Sequence, residues 1–193
     1  MMGVIQMQIA KIYLSASQQP LNKYAANMFS EEEVMHALIH LEEPLFKKLG
    51  YQVKLSDPKK TMNDNINEAN TWIKKMPNGR YEGIYIAHHS NAFKGKNDGT
   101  LGLHYPSTNS KLLTQYLYNE IAKVTPSSDE GLRAAPELAE LRKTNMPASL
   151  IEYFYHDNVS DMKAGLLNLQ QLAEATVRGA YKFTNTGAVG WVA

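Results

Sequence analysis

Two adjacent histidines, His88 and His89, follow the apolar run at residues 84–87 and lead into Ser90 and Asn91. A strand of an open α/β sheet presents its functional side chains at its carboxyl end. Imidazole is the commonest neutral ligand for a divalent metal and the commonest acid or base near neutral pH. The pattern therefore predicts chemistry at this corner. The alternative is that one histidine packs beneath a loop and the other is solvated.

Glu152 lies inside the otherwise apolar segment at residues 148–154. Burial of a carboxylate is costly unless the group is paired or linked to a metal. Beside a bound metal, a glutamate can take a proton from the metal's water and later give it to a leaving amine. The alternative is a residue that faces solvent at a strand edge, or one that forms an ion pair with Arg142 or a lysine.

Three further groups lie close to predicted strand ends or helix starts. They are Ser15-Ala16-Ser17-Gln18, the acidic triplet Glu31-Glu32-Glu33, and His156 with Asp157. Carboxylates in a first helical turn are stabilised by the helix dipole, and taken alone the triplet needs no other explanation. His36 and His40 have i,i+4 spacing but lack an HExxH pattern, so we interpret them as surface or partly packed side chains.

The composition restricts the class of protein. At 193 residues and 44% hydrophobic, the chain can form one domain with a sizeable core. A net charge of +1 without a long basic run argues against a nucleic-acid partner or a polybasic membrane patch. The absence of cysteine leaves histidine, carboxylate and amide oxygen as metal ligands. No apolar run reaches the roughly 20 residues of a membrane span, and the opening does not resemble a signal peptide.

Strand and helix signals alternate along the chain. We predict strands at residues 9–15, 51–55, 83–89, 101–105 and 148–154, and helices at residues 30–49, 61–76, 107–124 and 159–183. This alternation predicts a single α/β domain with a mostly parallel twisted sheet of about five or six strands and helices on both faces. The domain is expected to cover residues 1–184, with a tail or the start of a linker at 185–193.

The first predicted helix carries its own boundary signals. Ser30 and Glu33 have the spacing of a capping box, and Gly50 is a suitable left-handed end. Pro44 should kink the helix or divide it. Residues 125–137, rich in serine, proline and charge, are predicted to form a loop.

Two segments resemble one family of zinc enzymes. YEGIYIAHHSNAF, residues 81–93, is similar to a strand that ends in a His-x-Asn-Ala turn. LRKTNMPASLIEYFYHDN, residues 141–158, is similar to a proline followed by a strand that bears a catalytic glutamate. In this order and spacing the segments resemble the Amidase_3 family of zinc-dependent N-acetylmuramoyl-L-alanine amidases, which includes phage endolysin catalytic domains. The similarity extends from Ile12 to about Phe183.

The resemblance implies a peptidoglycan hydrolase that cleaves the amide between N-acetylmuramic acid and L-alanine. It implies Zn²⁺ as the cofactor, with His89 and a glutamate of the triplet as metal ligands. We favour Glu32, with Glu31 next because the helix register can slip by one residue. The catalytic glutamate corresponds to Glu152. The implied place of action is the bacterial cell wall, either outside the cell or after release as a phage-type lysin.

The chain departs from the family at the first metal ligand. The family's Asp-Pro-Gly-His segment corresponds to residues 15–18, so Gln18 replaces a histidine. An amide oxygen is a weaker zinc ligand than imidazole. The segment, with Asn22 and Tyr24 after it, is similar to a subgroup of phage-associated and Firmicutes amidases that begins Ser-x-Ser-x-Gln.

Three alternatives follow for the third ligand. Gln18 ligates zinc directly, His156 or His88 supplies the ligand, or the metal binds weakly. In the third case the chain is a catalytically impaired cell-wall-binding protein on the same fold. We further expect Asn91 to stabilise the turn at the substrate side and Asp157 to orient His156.

Overall fold

The computed structural model describes residues 11–25, 28–77, 79–124 and 130–185. The strands are β1 (Lys11–Ala16), β2 (Gln52–Leu55), β3 (Gly83–Asn91), β4 (Leu101–His104), β5 (Gly131–Ala134) and β6 (Ala148–Tyr155). The helices are α1 (Glu31–Lys48), α2 (Met62–Trp72), α3 (Thr108–Ile121), α4 (Ala139–Arg142), α5 (Val159–Leu167) and α6 (Leu169–Asn185). Two predicted features fall outside the described residues. They are the beginning of the first strand, at residues 9–10, and all of the tail at 185–193 except Asn185.

The six strands form one sheet in the order β2-β1-β3-β6-β4-β5. Strands β1, β2, β3 and β6 run parallel, whereas β4 is antiparallel to β6. The predicted α/β fold with a mostly parallel sheet is therefore confirmed. Ala16 pairs with His88, and His89 pairs with Glu152, so the carboxyl ends of β1, β3 and β6 meet at one edge. None of the described helices is long and apolar enough to cross a membrane.

Alternate side chains of the central strands face two different helical layers. Ile84 and Ile86 pack in the core beneath α1, α3 and α6. Tyr85 and Ala87 pack in the second core, which α2 and α4 cover. Continuation of this alternation places His88 on the first face and His89 on the second. The two adjacent histidines therefore enter different environments.

Helix α1 begins as predicted and continues through Pro44. Ser30 and Glu33 form the reciprocal hydrogen bonds of a capping box. Pro44 does not divide the helix, and both Pro44 and His40 are exposed. Because Pro44 has no N–H, the His40 carbonyl has no donor within the helix. It lies on the exposed face, where water can donate to it.

Two of the predicted helices differ clearly from the prediction. Helix α2 ends at Trp72 because the chain then turns back on itself, and Lys75 pairs with Tyr81 in an isolated bridge. The predicted helix at residues 159–183 is two helices, separated at Asn168, whose side chain donates to the Ala164 carbonyl. With the break, α5 packs on β6 and α6 packs on α1 and α3.

The predicted loop at residues 125–137 contains the edge strand β5, which pairs with β4. Four residues are too few for an alternating pattern to be recognised. Residues 125–129 lie outside the described part of the chain.

Gly179 allows close contact between α6 and α3. A Cβ atom at this position would lie 2.7 Å from the Leu117 Cα and 2.8 Å from the Tyr116 carbonyl oxygen. In an exposed helix, glycine to alanine stabilises by up to about 1 kcal/mol. Here we expect Gly179→Ala to destabilise the fold by about 1–3 kcal/mol, because the helices must separate. Urea unfolding measures the difference.

Gln171→Ala, at an exposed position of the same helix, is the matched control and should leave stability nearly unchanged. A Gly179→Ala protein as stable as the wild type would contradict the close packing of α6 against α3.

Candidate active site at the carboxyl edge of the sheet

His89, near the end of β3, lies between two buried carboxylates. Its Nδ1 is 2.9 Å from Oε1 of Glu31, and its Nε2 is 2.9 Å from Oε2 of Glu140. Carboxylates only accept hydrogen bonds, so in this arrangement both ring nitrogens carry protons. Burial lowers the pKa of His89, but the hydrogen bonds to Glu140 and Glu31 outweigh it and hold the pKa well above its ordinary value.

Glu31, rather than the predicted Glu32, contacts His89. Successive helical residues point about 100° apart, so Glu31 faces the sheet while Glu32 lines the neighbouring cleft. Asn22 Nδ2 donates to Glu31 Oε2 at 2.9 Å, and the Ser90 amide donates to Oε1 at 3.3 Å. Burial raises the pKa of Glu31, but its hydrogen bonds to His89 and Asn22 and the charge of His89 bring it below the ordinary value.

Glu140 was not identified from the sequence. It lies on α4, a helix of only four residues, where no periodic pattern could distinguish it. Its Oε1 accepts hydrogen bonds from Ser15 Oγ at 2.7 Å and from the Tyr85 hydroxyl at 2.6 Å. Burial raises the pKa of Glu140, but the donors, with His89 the largest contributor, bring it below the ordinary value.

Glu152 is adjacent to His89 across the β3–β6 pairing. Its Oε2 atom is buried and has no hydrogen-bond partner among the described residues. Burial raises the pKa of Glu152 to about 7; His89 opposes this shift, whereas the charge of Glu31 adds to it. The alternative ion pair with Arg142 is not formed, because the Arg142 guanidinium donates to the Glu137 carbonyl.

Of the alternatives for a third ligand, Gln18 lies beside His89 and His88 does not. The Gln18 side-chain nitrogen donates to the Lys60 carbonyl, although Gln18 lines the same cleft as His89. His88 is fully buried on the opposite face, with Nδ1 3.0 Å from the Ser15 carbonyl oxygen and Nε2 2.8 Å from a carboxylate oxygen of Glu42. The structure therefore does not bring His88 to the His89 site.

The remaining predicted residues organise the loops around the site. The His156 ring stacks on Tyr24 at 5.2 Å, and its Nδ1 is 3.0 Å from Ser90 Oγ. Asp157 accepts from the Gly95 amide and makes no hydrogen bond to His156 among the described contacts, so the structure does not support its predicted orienting role. Asn91 Oδ1 accepts from the amide of the next residue and stabilises its own turn.

The donor set fits a divalent cation. Within the described ranges, the carboxylates of Glu31, Glu140 and Glu152 form no ion pair with lysine or arginine, and His89 is the cationic partner of the first two. Two buried carboxylates and the partly buried Glu152 beside one imidazole leave excess negative charge that a cation would neutralise. The imidazole nitrogen and carboxylate oxygens are donors that zinc accepts.

The pair of His89 and Glu31 has a separation suited to a shared ion. Nδ1 and Oε1 are 2.9 Å apart, and two donors of a tetrahedral zinc lie about 3.3 Å apart. Across the described part of the chain, no group of three or more His, Cys, Asp or Glu side chains is arranged to hold a metal ion. Within that part of the chain, His89 and Glu31 supply two candidate donors for an ion rather than a complete set.

An open cleft of about 590 Å³ adjoins His89 and Glu140. Its other walls come from the loop after β1 and from the start of α2. They include Gln18, Gln19, Pro20, Pro58, Lys60, Thr61 and Met62. A substrate in this cleft would lie beside His89 and Glu140.

Several solved structures share this fold. The N-acetylmuramoyl-L-alanine amidase AmiC2 of Nostoc punctiforme has a TM-score of 0.76 at 18% identity, with 90% of this chain and 96% of that chain covered. An N-acetylmuramoyl-L-alanine amidase from Clostridium difficile 630 has a TM-score of 0.77 at 21% identity, with 93% and 99% covered. The catalytic domain of the CD27L endolysin, which targets Clostridia difficile, has a TM-score of 0.70 at 20% identity, with 90% and 97% covered.

These identities establish similarity of fold, and the family follows from the sequence. No curated protein sequence matches the chain significantly. The sequence profile of the Amidase_3 family, described as N-acetylmuramoyl-L-alanine amidase, matches residues 20–182. That match covers most of the chain and includes Glu31, His89, Glu140 and Glu152. The chain belongs to the N-acetylmuramoyl-L-alanine amidase family Amidase_3.

Proposed function

We propose that this protein is a peptidoglycan hydrolase that cleaves the amide between N-acetylmuramic acid and the L-alanine of the stem peptide. Membership in the amidase family supports the substrate class. The observation that carries the proposal is the buried, unpartnered Oε2 of Glu152 beside the His89–Glu31 pair. An unpaired carboxylate is costly at a structural position, and it is expected of a group that exchanges protons.

His89 and Glu31 are the proposed zinc ligands, with Glu31 taking the place that the sequence assigned to Glu32. Bound zinc would polarise the scissile carbonyl and lower the pKa of a bound water. Asn22 and the Ser90 amide hold the Glu31 carboxylate against His89. Asn22, in the loop after β1, thus supports the site by orienting Glu31. The Gln18 side chain in the same loop is hydrogen-bonded to a backbone carbonyl.

Glu152 is the proposed general base. A base works best when its pKa is close to the working pH, and burial raises the pKa of Glu152 to about 7. Its carboxylate would take the proton of the attacking water and later donate it to the nitrogen of the departing L-alanine. This role needs a carboxylate oxygen that is free to bind a water proton, and among the described residues Oε2 has no hydrogen-bond partner.

The proposed place of action is the bacterial cell wall, with peptidoglycan as the partner. The CD27L endolysin shares the fold, which is compatible with a lysin that reaches the wall after release from the cell. A secreted enzyme would present the same site to the same bond.

The proposed reaction predicts a chelator-sensitive release of new amino ends. Purified bacterial walls incubated with the zinc-loaded protein should release free L-alanine amino groups, identified by end-group analysis. Prior removal of metal with excess chelator should reduce this release by at least about 100-fold, and added zinc should restore it. Undiminished release in excess chelator would contradict a zinc mechanism, whereas release of another end group would contradict the assigned bond.

Substitution of the proposed base should separate catalysis from metal binding. We expect Glu152→Gln to reduce turnover of peptidoglycan by about 10²–10⁴-fold while the protein keeps its zinc content. The matched control is Glu174→Gln, which makes the same chemical change at an exposed position of α6. A Glu152→Gln protein with wild-type turnover would exclude Glu152 as the base.

The same variant should change stability with a definite pH dependence. The pKa of Glu152 is about 7 in the folded protein, against an ordinary value of 4.5, so the folded state binds this proton more tightly than the unfolded chain. Wild-type stability should therefore fall as pH rises from about 4.5 to above 7. Zinc-free Glu152→Gln should be roughly 2–3 kcal/mol more stable than zinc-free wild type at pH 8.

This difference should shrink toward pH 4, where Glu152 is protonated in both states. Urea unfolding of both zinc-free proteins at pH 4 and pH 8 measures it. If Glu152→Gln were instead less stable than wild type at pH 8, the carboxylate would be a structural partner rather than an unpaired charge.

A second candidate is a cell-wall-binding protein with an impaired metal site. Gln18 favours this function, because it stands where the family has a histidine. Its side-chain nitrogen donates to the Lys60 carbonyl. Metal content separates the two functions. A purified protein that binds walls but retains no zinc after zinc loading would support the binding protein, whereas one equivalent of zinc per chain would support the hydrolase.

A further inference from the structure

Glu140 is a buried carboxylate that the proposed reaction does not yet use. We propose that Glu140 is a positioning residue: its hydrogen bond to Nε2 fixes the His89 ring and so presents Nδ1 to a zinc ion beside Glu31. This inference rests on the proposed function. It gives a role to a residue outside the two ligands and the base assigned above.

The Glu140 carboxylate is fixed by three donors. Oε1 accepts from Ser15 on β1 and from Tyr85 on β3, and Oε2 faces His89 Nε2. The carboxyl group is only 5% exposed. Since donors from two strands of the sheet hold it, Glu140 has a defined position before any ligand binds.

Glu140 occupies one nitrogen of the His89 ring, and Glu31 lies at the other. A carboxylate cannot donate, so the contact with Nε2 requires a proton on Nε2. Nδ1, 2.9 Å from Glu31, carries a proton in the metal-free ring and would be the nitrogen left for zinc. A zinc ion held by Nδ1 and Glu31 would displace that proton to solvent, while the Nε2 proton would stay in the hydrogen bond to Glu140.

The geometry also argues that Glu140 is not the missing third ligand. Glu31 and Glu140 approach opposite nitrogens of one ring. A single ion beside Nδ1 could reach Glu140 only if that carboxylate left Ser15 and Tyr85. A carboxylate that accepts the second N–H of a metal-bound histidine makes the ring a better ligand and fixes its orientation.

The departure of this chain from the family pattern supports the same role. Ser15 occupies the position of the family's aspartate in the segment that also lacks the first histidine. Its hydroxyl donates to Glu140 at 2.7 Å, so the altered segment contributes directly to the Glu140 cradle. A chain with one imidazole in its metal site depends strongly on the orientation of that ring.

The first test measures zinc affinity. Competition with a chromophoric chelator should show about 10–100-fold weaker zinc binding for Glu140→Gln, with the stoichiometry unchanged at saturating zinc. Glu137→Gln, an exposed change three residues earlier, is the matched control and should bind as wild type. Tyr85→Phe removes one donor to Glu140 and should weaken zinc binding by a smaller factor, which keeps the test valid if Glu140→Gln folds poorly.

The second test identifies the nitrogen that binds zinc. Long-range ¹H–¹⁵N spectra of the His89 ring in zinc-loaded wild type should show a proton on Nε2 and zinc on Nδ1. Zinc on Nε2, or wild-type affinity in Glu140→Gln, would overturn the role of Glu140 and leave the proposed function intact. A wild-type protein that binds no zinc would overturn the proposed function itself, and the inference with it.

Discussion

Three glutamates from three separate elements lie around the single imidazole of His89, and the cost of taking their charge out of water constrains the rest of the site. Glu31 and Glu140 are each stabilised by the His89 ring and by neutral donors. Among the described residues Glu152 has no donor at Oε2, and burial raises its pKa to about 7. The donors thus distinguish two carboxylates that contact the ring from the one that we propose as the base.

The sheet produces this arrangement through alternation and parallel pairing. Because neighbouring residues of a strand point to opposite faces, His88 is directed into the core and pairs with Glu42, while His89 is directed to the α4 face. The parallel register of β3 and β6 then places Glu152 next to His89. Helix α1 contributes Glu31 in its first turn, where the helix dipole also favours a carboxylate.

Much of this could be predicted from local sequence. The α/β class, the edge at which the strands end and the position of His89 and Glu152 at that edge follow from apolar runs that stop at polar residues. The sequence favoured Glu32, whereas Glu31 contacts His89, because the choice depends on a helix rotation of one residue. Glu140 was missed because its helix is too short to show periodicity. Its carboxylate is held by Ser15 and Tyr85, which are far from it in the chain.

We infer that His89 and Glu31 hold one zinc ion. Anomalous diffraction at the zinc absorption edge, from crystals of the zinc-loaded protein, can locate this ion. We expect a single strong peak within bonding distance of His89 Nδ1 and Glu31, with Glu140 still hydrogen-bonded to Nε2. A fully loaded crystal without a peak at this position, or with the peak bonded elsewhere in the chain, would rule out this zinc site.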